Sequence, residues 1–131
     1  MLMLSVERTK AIRVGALGTL TFGSGLYAYV GSAQNNLKKR VERHFSKGKK
    51  EFWHIDYLTN DGDVKILSIF SKEASKIEEC RLAKIIGESN RPVEGFGSSD
   101  CRCLSHLFKI TTSYEEFKAL LKGNGLNPWK V

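Results

Sequence analysis

The chain has 131 residues, of which 41% are hydrophobic and 27% are charged, and this composition predicts one folded domain rather than a disordered segment. Twenty-one Lys and Arg against fourteen Asp and Glu give a net charge of +7, which favours an anionic partner. Nucleic acid and a membrane surface both fit this charge, and solubility alone would also explain it. Because no apolar run could span a bilayer, no signal peptide is recognisable and the three cysteines are odd in number, we expect a cytoplasmic protein.

The first thirty residues predict an antiparallel unit of three strands. Residues 2–6 form the first apolar run, and residues 11–21 continue an extended pattern that Gly15 and Gly18 interrupt. A glycine-rich turn at residues 22–25 leads into an alternating strand at residues 26–30. This last strand carries two tyrosines on one face.

A strongly basic helix is predicted directly after this strand, from Gln34 or Asn35 to Phe45. Leu37 and Val41 share an apolar stripe that extends toward Phe45. A tyrosine-bearing strand that leads into a cationic helix is a suitable place to hold a phosphodiester. The basic residues that could contact nucleic acid here are Lys38, Lys39, Arg43, Lys47, Lys49 and Lys50.

The second half of the chain alternates between strands and helices. A short aromatic stretch at residues 52–58 precedes a turn, and Ser113 with Glu116 forms a capping-box pattern at the start of the last helix. The predicted elements are a strand at 64–70, a helix at 71–86, a loop at 89–102, a strand at 104–111, a helix from 113 to about 122, and a tail at 123–131 that Trp129 could hold.

Four motifs follow one another along the chain: residues 29–31 with 36–40, then residues 53–58, 79–83 and 95–107. In this order they resemble the GIY-YIG nuclease superfamily, and in particular its Uri-type branch. The Tyr-Val-Gly at residues 29–31 corresponds to the second half of the motif that names the superfamily, and an arginine follows at the expected place on the next helix.

The resemblance implies a single α/β (α+β) domain over residues 1–131, with a three-stranded antiparallel sheet flanked by helices. It also implies an endonuclease that hydrolyses DNA phosphodiester bonds with one divalent ion, Mg²⁺ or Mn²⁺. By position, Tyr29 would orient the attacking water or help to deprotonate it, and Arg40 would contact the scissile phosphate. His44 would lie near the nucleophile, and Glu79 would bind the metal ion.

One departure from the family pattern concerns the first strand. The Gly-Ile-Tyr of the superfamily has no counterpart in the sequence Met-Leu-Met-Leu at residues 1–4. Tyr27 shares a strand face with Tyr29 and is a candidate substitute for the missing tyrosine. A nucleic-acid-binding module with impaired catalysis is therefore the alternative function.

The site residues also allow simpler interpretations. Arg40 could lie on a solvated basic face, and Tyr29 could be a core aromatic. His44 could be a cation at the end of its helix. Glu78 is adjacent to Glu79, but Glu79 shares its helix face with apolar residues and is the better candidate for a site that faces inward.

The cysteines suggest a second metal site. Cys101, Cys103 and His106 could bind zinc with Cys80 or His54 as the fourth ligand, in an enzyme or in a zinc-stabilised interaction domain. Reduced buried thiols are the simpler explanation of the same residues. Trp53 and Tyr57 could stack on bases or pack in the core, and the branch-specific motifs place Asp100 and His54 as further candidates for catalysis.

Overall fold

The computed structural model describes residues 1–31, 37–73 and 75–129, and shows a mixed α/β domain. The start predicted for the basic helix, at Gln34 or Asn35, lies outside these residues. The described elements are β1 (Leu2–Val6), β2 (Lys10–Arg13), β3 (Thr19–Phe22), β4 (Gly25–Tyr29), α1 (Leu37–Phe45), α2 (His54–Thr59), β5 (Val64–Ser71), α3 (Lys76–Gly87), β6 (Arg91–Pro92), β7 (Leu107–Lys109), α4 (Tyr114–Gly123) and β8 (Asn127–Pro128).

The main sheet of the described chain has six strands rather than the three that were predicted. Its order is β6-β7-β4-β1-β5-β8, and all neighbouring strands are antiparallel. β1 lies between β4 and β5, with Leu2 opposite Tyr29 and Leu4 opposite Tyr27. β7 lies within the strand predicted at 104–111, whereas β6 and β8 are only two residues long and carry too little alternation to be recognised from sequence.

The prediction that the first thirty residues form one three-stranded unit is wrong. β2 and β3 pair with each other in a separate hairpin, which a short 3₁₀ turn at Gly15–Leu17 connects. Gly15 has a positive φ of 47°, which allows this tight connection. The hairpin buries Ile12 and Phe22 against one face of the main sheet.

The two faces of the main sheet carry two hydrophobic clusters. Alternation in β4 places Tyr27 and Tyr29 in one cluster and Ala28 in the other. The tyrosine face is covered by the hairpin, α1 and α2, whereas α3 and α4 cover the opposite face. Residues from these covering elements include Val41, Ile55 and Leu58 on the first face, and Leu82, Ile86, Phe117 and Leu121 on the second.

Several predicted boundaries shift in the structure. The helix predicted from residue 71 begins at Lys76, because β5 continues through Ser71 in pairing with β8; residue 74 lies outside the described chain. At the last helix, Ser113 caps α4 as expected, since its side chain accepts a hydrogen bond from the Glu116 N–H at 3.1 Å. Trp129 holds the tail through a backbone hydrogen bond to Ile69.

The aromatic stretch at residues 52–58 contains most of a short helix, α2, which was not predicted from its composition. α2 starts after Trp53, and Asp56 accepts hydrogen bonds from the N–H groups of Phe52 and Trp53 at 2.9 and 2.8 Å. These bonds satisfy N–H groups ahead of the helix and fix its start. Within the described residues, the longest helix has twelve residues, and none is both long and apolar enough to cross a bilayer.

Candidate functional site

The structure brings four predicted site residues to one cavity. Tyr29 at the end of β4, Arg40 and His44 on α1, and Glu79 on α3 all line a space of about 460 Å³, which we call the main cavity. A neighbouring space of about 400 Å³ also has Tyr29, Arg40 and Glu79 in its lining. Residues from three separate elements therefore face a common volume.

Tyr29 is held by close packing on both sides of its ring. A Cβ atom at Gly31 would lie 3.0 Å from the ring, and one at Gly97 would lie 3.1 Å from it. Gly97 also has a positive φ of 69°, so a side chain there would be strained as well as crowded. Burial and then the charge of Glu79 raise the pKa of Tyr29, so its hydroxyl stays protonated at neutral pH and can donate a hydrogen bond.

Arg40 is positioned by an aromatic ring. Its guanidinium carbon lies 4.1 Å from the centre of the Trp53 ring, which is a favourable cation–π distance. The buried Nε of Arg40 has no hydrogen-bond partner among the residues that the structure describes. Arg40 thus lines the cavity and carries one buried N–H donor that no described residue satisfies.

His44 is buried in the last turn of α1 and is not a solvated helix-end cation. Burial, followed by the charge of Arg40, lowers the pKa of His44 to about 4, so the imidazole is neutral at pH 7. Its Nδ1 finds no hydrogen-bond partner within the described chain. A neutral, unpaired imidazole nitrogen at a cavity can accept a proton or a hydrogen bond.

The lowered pKa of His44 predicts a loss of stability in mild acid. Between about pH 6.5 and pH 4, the unfolded chain protonates this histidine while the folded chain keeps it neutral. The free energy of unfolding should then fall by up to about 1.4 kcal/mol per pH unit as the pH decreases. Urea unfolding at pH 7 and pH 5 should show a smaller loss for His44→Gln than for the natural chain. Equal losses in the two proteins would contradict this assignment.

Arg43 is engaged in the fold rather than presented to a ligand. Its Nη1 and Nη2 donate to the two carboxylate oxygens of Asp56 at 2.6 and 2.9 Å, and Asp56 is fully buried. Burial would raise the pKa of Asp56, but Arg43 and two backbone N–H donors outweigh it and lower this pKa. The structure thus gives Arg43 a structural role, and its contact with nucleic acid stays a prediction.

The remaining basic candidates divide into two groups. Lys47 donates to the carbonyls of Asp61 and Val64, and Lys49 donates to Ser46 and Asn60, so these two ammonium groups hold the loops around α2. Lys38, Lys39 and Lys50 are exposed, and Lys47 also stays exposed despite its hydrogen bonds.

Tyr27 does not reach the main cavity. Its hydroxyl donates to the Gly23 carbonyl at 2.8 Å, and its ring is buried beneath the β2–β3 hairpin. Burial is the main cause that raises its pKa. The hydroxyl of Tyr27, the candidate substitute for the missing first-strand tyrosine, is thus bonded to the turn before β4. On the first strand, the residue opposite Tyr29 is Leu2.

The phase of α3 separates the two adjacent carboxylates. Glu78 is not among the lining residues, and it pairs with Arg81 and, at 2.9 Å, with Lys72, whose side chain belongs to a residue of the cavity lining. Glu79 lines the cavity, and its Oε1 lies 3.5 Å from Nδ1 of His106. The preference for Glu79, which followed from its helix face, agrees with this placement.

A cluster of soft ligands lies next to Glu79. The ligand atoms of Cys80, Cys101, Cys103 and His106, which we call the Cys/His cluster, all lie within 4.8 Å of one another. None of the cysteines forms a disulfide. Cys80, rather than His54, is therefore the fourth member. This group could hold a metal ion, and its thiols suit zinc rather than magnesium.

His54 and Asp100 line the smaller cavity. The Nδ1 of His54 accepts a hydrogen bond from the Gly97 N–H at 2.8 Å, and burial lowers its pKa. Asp100 pairs with Lys76 at 2.5 Å. His54 therefore fixes the loop that packs on Tyr29.

Sequence reasoning missed the supports of the site. Trp53 stacks on Arg40 and Arg43, whose guanidinium carbons lie 4.1 and 4.6 Å from its ring centre, although it was interpreted as a core or base-stacking residue. Asp56 was not singled out at all. Its position three residues after the N-cap residue Trp53 is the signal that could have revealed it.

Comparison with known proteins gives one family. A model described as "Domain of unknown function DUF123" matches residues 1–125. No match was found among curated proteins or among solved structures.

Proposed function

The chain belongs to the family described as Domain of unknown function DUF123, and we propose that it is a metal-dependent endonuclease that hydrolyses DNA phosphodiester bonds. The observation that carries this proposal is the convergence of Tyr29, Arg40, His44 and Glu79 on the main cavity. The resemblance to the Uri-type branch of the GIY-YIG superfamily names the same four residues. Geometry and resemblance thus support one site.

Arg40 is the group that binds the scissile phosphate. A guanidinium offers planar donors that can bridge two phosphate oxygens, and Trp53 fixes its orientation before substrate arrives. The unpaired Nε adds a donor whose burial is compensated only when an anion binds. Arg40 also stabilises the negative charge that develops during attack on phosphorus.

Tyr29 and His44 act on the attacking water. The protonated hydroxyl of Tyr29 orients the water, and the neutral Nδ1 of His44 accepts a proton as the oxygen–phosphorus bond forms. The charge of Arg40 is one cause of the low pKa of His44. Because a bound phosphate offsets this charge, it raises the pKa of His44 and makes the histidine a stronger base. The bond to the leaving oxygen breaks, and solvent protonates that oxygen.

The residues of the cavity fit a single hard cation. Glu79 offers a carboxylate at the lining, and Mg²⁺ or Mn²⁺ is commonly held by one or two carboxylates together with phosphate oxygens and waters. When bound, such an ion neutralises charge on the phosphate and the leaving oxygen. Lys38, Lys39 and Lys50 provide the exposed positive surface that attracts DNA.

The direct test is cleavage of labelled single-stranded, duplex and branched DNA by the full chain with Mg²⁺ or Mn²⁺. Glu79→Gln should abolish detectable product and retain DNA binding, because it removes a metal ligand and leaves the basic surface intact. Glu78→Gln makes the same change one residue away, at a carboxylate that pairs with Lys72 and Arg81, and should retain cleavage. Absence of product from every substrate, or equal activity of the two variants, would refute the proposal.

The alternative is a nucleic-acid-binding module without turnover. The observation that favours it is the register of β1, which places Leu2 opposite Tyr29 where the family pattern suggests a second tyrosine. This alternative predicts salt-sensitive binding of DNA that Glu79→Gln does not change, with no product in either metal. The cleavage assay separates the two functions.

A further inference from the structure

The Cys/His cluster joins α3 to the long segment before β7. Cys80 lies on the first half of α3, whereas Cys101 and Cys103 lie in a segment with neither helix nor strand, and His106 immediately precedes β7. Long connections without secondary structure are uncommon in small domains unless they bind or catalyse. A metal ion here would fix this segment against α3.

The geometry of the cluster approaches that of a tetrahedral zinc site. With Zn–S bonds of ~2.3 Å, neighbouring ligand atoms in a tetrahedron lie roughly 3.8 Å apart. The four ligand atoms lie within 4.8 Å of one another, and Sγ of Cys101 is 3.4 Å from Nε2 of His106.

The ligand types in the Cys/His cluster indicate which metal ion it would bind. Three thiolates with one imidazole are soft and borderline ligands, which favour zinc over the hard cations that carboxylates bind. Thiols form only weak hydrogen bonds, so mutual S–H contacts give little reason for three cysteines to converge. Binding of the ion displaces the thiol protons to solvent.

We propose that the Cys/His cluster binds one Zn²⁺ through three thiolates and Nε2 of His106, and that the opposite nitrogen of this histidine positions Glu79. Nε2 faces Cys101, and Nδ1 faces Oε1 of Glu79 at 3.5 Å. A metal-bound histidine typically donates its other N–H to a carboxylate, which fixes the orientation of both groups.

This arrangement makes the zinc site a support of the main cavity. The Glu79 carboxylate, whose Oε1 lies 3.5 Å from Nδ1 of His106, lines the cavity with Arg40 and Tyr29. His106 is thus a positioning residue that acts through Glu79. The zinc site is independent of the proposed nuclease function, whereas its effect on cleavage rests on that function.

The first experiment measures metal in the full chain after incubation with Zn²⁺ and gel filtration. One zinc per chain is expected, and replacement by Co²⁺ should give the intense visible bands of a tetrahedral site together with thiolate charge-transfer bands. His106→Asn should lose bound zinc, whereas His44→Asn, which removes a histidine from α1, should keep it. Because His106→Asn can fail to fold, the cobalt spectrum of the natural chain decides on its own. A chain without stoichiometric zinc and without these bands would overturn the site.

The second experiment tests the link between zinc and Glu79 without DNA. In competition with a chelator, Glu79→Gln should weaken zinc binding about 10–100-fold, because it removes the carboxylate that orients the ligating histidine. Glu78→Gln, which removes a charge from the adjacent residue, should leave the affinity unchanged. Equal zinc affinities for both variants would overturn the positioning role.

The third experiment uses His106→Cys, which keeps four zinc ligands but has no N–H to donate to Glu79. Zinc should remain at one per chain, while kcat for DNA cleavage falls about 10–100-fold and the Kd for DNA stays constant. Unchanged kcat with full zinc would show that His106 does not position Glu79. If the natural chain cleaves no DNA, the nuclease proposal fails, and the first two experiments still decide the zinc proposal.

Discussion

Replacing Arg40 with alanine is expected to lower the rate of DNA cleavage about 10²–10³-fold, the usual effect of removing one preorganised donor to a developing negative charge. The side chain lies at the main cavity, stacks on Trp53 at 4.1 Å, and has a buried Nε that a phosphate oxygen would satisfy. The loss should fall mainly on kcat, because Arg40 acts on charge that appears in the transition state. Single-turnover cleavage at saturating protein measures this effect directly.

Two further variants test whether cleavage needs the planar guanidinium of Arg40 or only a positive charge. Arg13→Ala removes the same charge from an exposed position on the β2–β3 hairpin and should leave the cleavage rate nearly unchanged. Arg40→Lys keeps the charge but has no planar fork to bridge phosphate oxygens or stack on Trp53, so it should recover only a small part of the rate. A fully active Arg40→Lys, or an equal loss in Arg13→Ala, would contradict the role of Arg40.

The local elements could be predicted because their patterns lie within a few residues of one another. An apolar run identified β1, alternation identified β4 and β5, and the serine cap of α4 was recognised at Ser113. The phase of α3 placed Glu79 beside the apolar face and Glu78 outside it, and the structure has the same arrangement. Each of these features depends on spacing along a single element.

The strand pairing could not be predicted in the same way, because it depends on contacts between distant segments. The N-terminal strands were expected to form one unit; β1 does pair with β4, but its other neighbour is β5, and β2 and β3 form their own sheet. The hydrophobic residues Ile12 and Phe22 stabilise the separate hairpin by packing on the sheet face rather than beside its edge. Alternation marks a buried face but does not specify the neighbouring strand.

In the candidate site, too, some features were predicted from sequence and others were not. The residues that face the main cavity were predicted from a family resemblance, and they do converge. Their surroundings were not predicted, because the burial of His44 and the low exposure of Tyr29 result from packing of several elements. The lysines were assigned to DNA by charge alone, and charge does not reveal that Lys47 and Lys49 bond to backbone and side-chain oxygens.

Loss of Asp56 should strongly reduce stability. Asp56→Ala is expected to lower the free energy of unfolding by about 3–5 kcal/mol, the usual cost of removing one partner from a buried ion pair. The carboxylate is fully buried, binds both Nη atoms of Arg43, and accepts the N–H groups of Phe52 and Trp53. Urea unfolding at pH 7 measures the change.

Two comparisons test whether the loss of stability in Asp56→Ala comes from leaving the Arg43 guanidinium without its carboxylate partner. Asp63→Ala removes a more exposed carboxylate that pairs with Arg8 and Lys10, and it should cost much less because solvent screens those pairs. The double variant Arg43→Ala with Asp56→Ala should lose less free energy of unfolding than the two single variants lose together, since no unpaired charge is left. Additive losses would show that Asp56 acts only by fixing the start of α2. Because Arg43 stacks on the same Trp53 ring as Arg40, loss of Asp56 should also lower the cleavage rate of the folded fraction.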